Sequence, residues 1–137
     1  MANTVNINST TWDGYKGSLH YALTSDGTAL ADLQLIDISG LAPAPNSIKI
    51  KSIDLVMNGD WTLFFEADAT TDQELERFIG QADVTVHYVR DYSDMPNGGK
   101  QASDKAAAGF TSDLLATSAN LASGDEFNLL LIFEKDS

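Results

Sequence analysis

The sequence predicts an all-β fold, a single-domain antiparallel β-sandwich or flattened barrel of about seven or eight strands. Three observations carry this. Apolar residues alternate with polar ones at a period of two along several short segments. Clusters of Gly, Asn, Asp, Ser and Pro punctuate those segments about every 8–12 residues. The 137 residues fit one domain, long enough to bury roughly two-thirds of the unfolded surface without cross-links.

Residues 1–17 are rich in Asn, Thr, Ser and Gly, with Val5, Ile7, Trp12 and Tyr15 as the large apolar groups. Asn and Ser side chains compete with regular structure by bonding to nearby backbone. The segment reads as an extended N-terminal arm with at most one short strand over Val5–Ile7, and the sandwich domain reads as 18–137. Leu19, Tyr21 and Leu23 alternate with polar or small residues before Ser25-Asp26-Gly27 turns the chain, which reads as a strand and hairpin. Leu33–Ile38 is a strand with both faces partly apolar, and Gly40–Asn46, containing Pro43 and Pro45, is a surface loop.

Ile48 and Ile50 share one strand face, whereas Ile53, Leu55 and Met57 are one residue out of step with them. A straight strand would split the two sets between opposite faces. A β-bulge near Lys51–Ser52 restores a common face. A strand buried on both sides fits less well, given Lys49 and Asp54. Asn58-Gly59 is a two-residue hairpin signal, returning Trp61, Leu63 and Phe65 as a strand with Trp61 in the core. Gln73–Ile79 favours helix by residue type yet spans only about two turns, and stays ambiguous. Val84–Val89 is a strand dominated by β-branched and aromatic residues.

Asp91–Gly109 reads as one long loop, a length associated with function or flexibility. Leu114–Ala116 is a short strand, Ser123-Gly124-Asp125 a turn, and Phe127–Phe133 a final strand that is apolar on both faces, hence central in a sheet.

Composition excludes several functions. Eight basic against 20 acidic residues give a formal charge of −12. Along the chain the basic residues are scattered, with only Lys49 and Lys51 close together, so neither nucleic acid nor an anionic membrane is an expected partner. With no cysteine, disulfides and thiolate metal sites are excluded. No apolar run approaches the roughly 20 residues that span a bilayer. The start Met-Ala-Asn-Thr-Val-Asn-Ile-Asn lacks a basic and apolar leader, so synthesis in a cytoplasm without Sec export is expected.

Chemistry is sparse. His20 and His87 are the only histidines, each mid-strand and without a second ligand at metal spacing. There is no serine elbow, phosphate loop or His-Glu-x-x-His. Carboxylates are plentiful, but nothing distinguishes Asp68 and Asp72, or Asp125 and Glu126, from turn formers. Asp68 and Asp72 lack the Asp-x-Asp-x-Asp-Gly spacing of a helix-loop-helix calcium site, and a calcium role there stays open. No enzyme, resident cofactor or metal ion is expected. The large apolar groups on the arm and loop, Trp12, Tyr15, Tyr92 and Met95, are the candidate partner-binding residues.

An ordered set of motifs carries a family resemblance over about residues 35–135. Ile36-Asp37-Ile38-Ser39-Gly40-Leu41 precedes Ile48-Lys49-Ile50-Lys51-Ser52-Ile53, then Asn58-Gly59-Asp60-Trp61-Thr62-Leu63 and Glu66-Ala67-Asp68-Ala69-Thr70-Thr71-Asp72. Ala108–Thr117 and Ser123-Gly124-Asp125-Glu126-Phe127 follow, ahead of a strand closing on Phe133-Glu134-Lys135. In this order the motifs resemble those of small virion structural proteins of tailed bacteriophages. Members similar to this chain often carry Trp-Asp-Ala before the Thr-Thr-Asp turn, and a Thr-Gly-Asp step where Thr111-Ser112-Asp113 stands here. The resemblance implies a decoration, or cement, protein on the capsid exterior that stabilises the head shell. Its implied partner is the major capsid protein, with a homo-oligomer expected and no catalytic residues brought along. A tail or neck protein, a carbohydrate-binding adhesion module and a hydrolase with a carboxylate pair are the alternatives.

Overall fold

The computed structural model describes residues 4–28, 30, 33–45, 47–66, 73–95, 98–101, 111 and 113–135. Among these lie nine strands and one 3-10 turn, Ile38–Gly40. The strands are β1 (Thr4–Trp12), β2 (Lys16–Asp26), β3 (Leu33–Ile36), β4 (Ile48–Met57), β5 (Asp60–Phe65), β6 (Gln73–Phe78), β7 (Val86–Asp91), β8 (Leu114–Ala119) and β9 (Ser123–Lys135). They form two antiparallel sheets, β1-β2-β9-β4-β7 and β3-β8-β5-β6. The all-β sandwich expected from the sequence is therefore present.

The core follows from period-two alternation. Leu19, Tyr21 and Leu23 of β2, and Phe127, Leu129, Leu131 and Phe133 of β9, are buried together. Trp61, Leu63 and Phe65 of β5 join the same core from the opposite sheet. Burying one such side chain contributes about 1.5–3 kcal/mol. Trp61 lies 4.1 Å from Phe127, centroid to centroid, and its indole N–H donates to the Asn58 carbonyl at 3.0 Å. The phase slip in β4 is resolved as expected: the pairing of β4 with β9 shifts between Ile50 and Ser52. Ile48, Ile50, Ile53, Leu55 and Met57 consequently all reach the core.

Three expectations are corrected and one open reading is resolved. The stretch read as an extended arm with one short strand is more fully paired: among the described residues Thr4–Trp12 is an edge strand paired with β2 along its whole length. Ser25-Asp26-Gly27 does not close a hairpin: β2 belongs to the five-stranded sheet and β3 to the other. Asn58-Gly59 likewise joins β4 to β5 across the two sheets, so it is a corner between layers. Its geometry still demands glycine, since Gly59 has φ +75° and an added Cβ would lie 2.5 Å from Leu121 Cδ2. Asn58 fixes the corner by accepting from Glu126 N–H at 2.9 Å and donating to Thr85 Oγ1 at 3.3 Å. Finally, within the ambiguous Gln73–Ile79 the strand β6 runs over Gln73–Phe78, because β5 supplies an open edge and Leu75 and Phe78 then enter the core.

Candidate binding surface

One face of the five-stranded sheet covers the core, and the other is open. Cross-strand register puts directly opposed residues on the same face. Three rungs of the open face can be read across the sheet. The first is Ile7, Ala22, Asn128, Val56 and His87; the second Ser9, His20, Leu130, Asp54 and Val89; the third Thr11, Ser18, Ile132, Ser52 and Asp91. The first and last strands lie four spacings apart, about 19 Å.

This surface is mixed in chemistry. Leu130 and Ile132 belong to β9, the middle strand, yet are 46% and 37% exposed. Val89, on edge strand β7 and across Asp54 from Leu130, is 61% exposed. Polar pairs share the face with these apolar residues: His20 Nε2 meets Asn128 Oδ1 at 3.1 Å, and His87 Nε2 meets Asp54 Oδ1 at 2.6 Å. Two shallow clefts open on the face. One of about 430 Å³ is lined by Thr11, Lys16, Ser18 and Ile132, and one of about 490 Å³ by Ser52, Asp54, Val89, Leu130 and Ile132. The final strand was expected to be apolar on both faces and central. It is central, but only one face is covered. Leu130 and Ile132, out of phase with Leu129, Leu131 and Phe133, were the sequence signal for this surface.

The four candidate residues fall into two pairs at opposite edges of the sheet. Trp12 and Tyr15 flank the β1–β2 turn, whereas Tyr92 and Met95 follow β7. Trp12 stacks on Phe133 at 5.6 Å and 7°, and its indole N–H donates to the Pro43 carbonyl at 2.9 Å. Tyr15 is 56% exposed and Met95 41% exposed. Tyr92 is only 8% exposed, with its hydroxyl donating to Glu76 Oε1 at 2.7 Å. Burial, and secondarily that bond to Glu76, raises its phenol well above the ordinary range. Across about 19 Å of sheet, the two pairs cannot share one small pocket.

The fold also rearranges charge. Lys16 and Lys49 both oppose Glu134, Lys135 opposes Ile48, and Lys100 bridges to Ile50. With Lys51, 3.7 Å from Glu134, five of the six lysines gather at one end of the five-stranded sheet. The opposite end carries Asp26, Asp125 and Glu126, with Asp83 donating its N–H to Asp125 Oδ1 at 3.1 Å.

Beneath the other sheet, Asp113 is buried and accepts from Ile38 N–H at 2.8 Å and Gln34 Nε2 at 3.1 Å. Burial raises its carboxyl above the usual range, Asp37 and Glu66 push the same way, and the Ile38 bond opposes. Among the described residues, no group of three His, Cys, Asp or Glu is placed to hold a metal ion. Asp68, Asp72 and Gly109 lie outside the described residues. Among the described residues no helix is long and apolar enough to cross a membrane.

No family model and no curated protein matches the chain. Solved structures similar to it include a family 29 carbohydrate-binding module, at 12% identity and TM-score 0.33, covering 96% of this chain and 75% of that one. A variant of the module CBM29-2 complexed with mannohexaose is similar at 12% identity and TM-score 0.31, covering 96% of this chain and 78% of the other. Another, complexed with cellulohexaose, is similar at 12% identity and TM-score 0.32, with the same coverage. Overlap this loose carries no argument about ligand. The two-sheet assignment rests on the chain's own strand pairings.

Proposed function

We propose that this chain is a non-catalytic virion structural protein of the decoration type, which lays the open face of its five-stranded sheet against the protein shell of a phage head. The carrying observation is the pair of exposed apolar residues on the middle strand of that sheet, Leu130 and Ile132, with exposed Val89 on the edge strand β7 of the same face. Central sheet strands normally have such residues covered, and exposed apolar groups rimmed by polar ones mark protein contacts. The resemblance of the ordered motifs to those of phage virion proteins supports the choice of partner. Among the described residues the three rungs contain no Trp, Tyr or Phe, which suits a broad protein contact better than a sugar platform.

A carbohydrate-binding module is the second reading. Two features of this chain favour it: the paired polar groups His20–Asn128 and His87–Asp54 on the open face, and exposed Tyr15 near the Thr11–Ile132 cleft.

Co-sedimentation with undecorated heads, beside a glycan array, separates the two. Fully burying a Leu or Ile contributes about 1.5–3 kcal/mol, so the exposed fractions of Leu130 and Ile132 leave about 1–2.5 kcal/mol to gain. Leu130→Ser with Ile132→Ser is expected to weaken head binding about tenfold or more. Glycan binding without head binding overturns the first reading in favour of the second.

A further inference from the structure

The two sheets have four outer edges, and three of them are protected. The β3 edge is four residues long, and β6 carries Glu74, Glu76 and Arg77. The β7 edge carries His87, Arg90 and Asp91. Short length and charge are the usual devices that stop a sheet from pairing with another chain.

The fourth edge, β1, has none of them. It is nine residues long, Thr-Val-Asn-Ile-Asn-Ser-Thr-Thr-Trp, without charge or proline. Every residue from Thr4 to Thr11 is exposed, so neither face is covered. The register with β2 shifts once, between Val5 and Ile7, leaving Ile7–Trp12 as a regular ladder. On its far side β1 meets no strand among the described residues.

We infer that the free edge of β1 pairs antiparallel with β1 of a second copy, about a two-fold axis, joining two five-stranded sheets into one of ten strands. Three arguments select a second copy over a foreign strand. An antiparallel edge is its own complement under two-fold symmetry, so each copy offers what the other needs. Each chain carries a charge of −12, so two copies approach most easily where fixed charge is absent. Thr4–Trp12 has no charged side chain, nor has the adjoining stretch of β2, residues 17–25. Continuity is the third: pairing at β1 continues the open face from one copy into the next. The inference stands on the edges alone and does not depend on what the open face binds.

The test is the solution mass of the full chain by light scattering, with no shell or glycan present. A dimer is expected. Ser9→Lys and Thr10→Lys each place like charges beside the two-fold, on opposite faces of an exposed strand, and each is expected to give a monomer that still unfolds cooperatively, with a Tm that no longer depends on protein concentration. Glu74→Lys, on the β6 edge, is expected to stay dimeric. Outward β1 amides are expected to exchange more slowly with deuterium as protein concentration rises. A wild-type monomer throughout overturns the inference. So does a dimer that survives both lysine substitutions in β1, or one that Glu74→Lys dissociates.

Discussion

Gly17→Ala should be among the more damaging single-methyl additions in this protein, although Gly17 lies in an ordinary strand. The side chains of its neighbours explain why. Gly17 stands between Trp12 and Phe133 in the register, and those rings stack across it at 5.6 Å. A Cβ added there would lie 2.1 Å from the Thr11 carbonyl oxygen and 2.9 Å from Phe133 Cζ. The first contact is with backbone and cannot be relieved by a rotamer change. Overpacking of this kind costs about 1–3 kcal/mol. Separating the stacked pair adds about 0.5–1.5 kcal/mol. A total of about 2–4 kcal/mol corresponds to a fall in Tm of about 8–15 °C for a chain of this size. Gly124→Ala is the comparison: φ is +93° but nothing lies within 4 Å of the added methyl, so only backbone strain of about 1 kcal/mol is expected. Thermal and urea unfolding of the two variants measures the difference. If Gly17→Ala melts within about 2 °C of wild type, or no lower than Gly124→Ala, the steric argument fails.

Other expectations concern the corner, the buried acid and the charge. Asn58→Ala leaves the Glu126 N–H without its acceptor and Thr85 Oγ1 without its amide donor, and should cost about 1–3 kcal/mol in urea unfolding. Asp113 has a folded carboxyl pKa above its unfolded one, so its contribution to stability is full below the unfolded value and lost as pH rises through the folded value. Wild type should therefore gain stability relative to Asp113→Asn as pH falls from neutral toward the carboxylate range. A pH series of unfolding curves with no such convergence would sink that assignment. Asp13, Asp26 and Asp91 run the other way: backbone or side-chain hydrogen bonds lower their pKa, so their contribution fades only in acid below the ordinary carboxylate range. Attachment to heads should weaken with added salt if the −12 charge meets a basic partner, because exposed pairs are screened.

Much of the scaffold was legible in the sequence because core strands announce themselves by alternation. The β4 bulge is the sharpest case: a one-residue phase slip between Ile50 and Ile53 has few physical resolutions, and the pairing shows one of them. Partner choice was less legible. Asn58-Gly59 encodes a tight reversal, but turn chemistry is local and does not say whether the next strand joins the same sheet. Only Val5–Ile7 of the β1 strand was legible as a strand, because nothing from Thr4 to Thr11 is buried and the alternation stops at Ile7. The candidate contact residues suffered from the same locality. Trp12 and Tyr92 read as partner contacts in the sequence, whereas in the fold Trp12 stacks on Phe133, distant in sequence, and Tyr92 turns inward to bond Glu76. Lysines scattered along the chain converge because β2, β4 and β9 present the same end of the sheet.

The central claim is that the open face of the five-stranded sheet is a docking surface for a protein shell. Imaging of heads reconstituted with the full chain tests it most directly. The result expected is density for the sandwich on the head exterior, with β9 at the centre of the contact and Leu130, Ile132 and Val89 against the shell. Density that turns the four-stranded sheet toward the shell, or heads that acquire no added density at all, would contradict it.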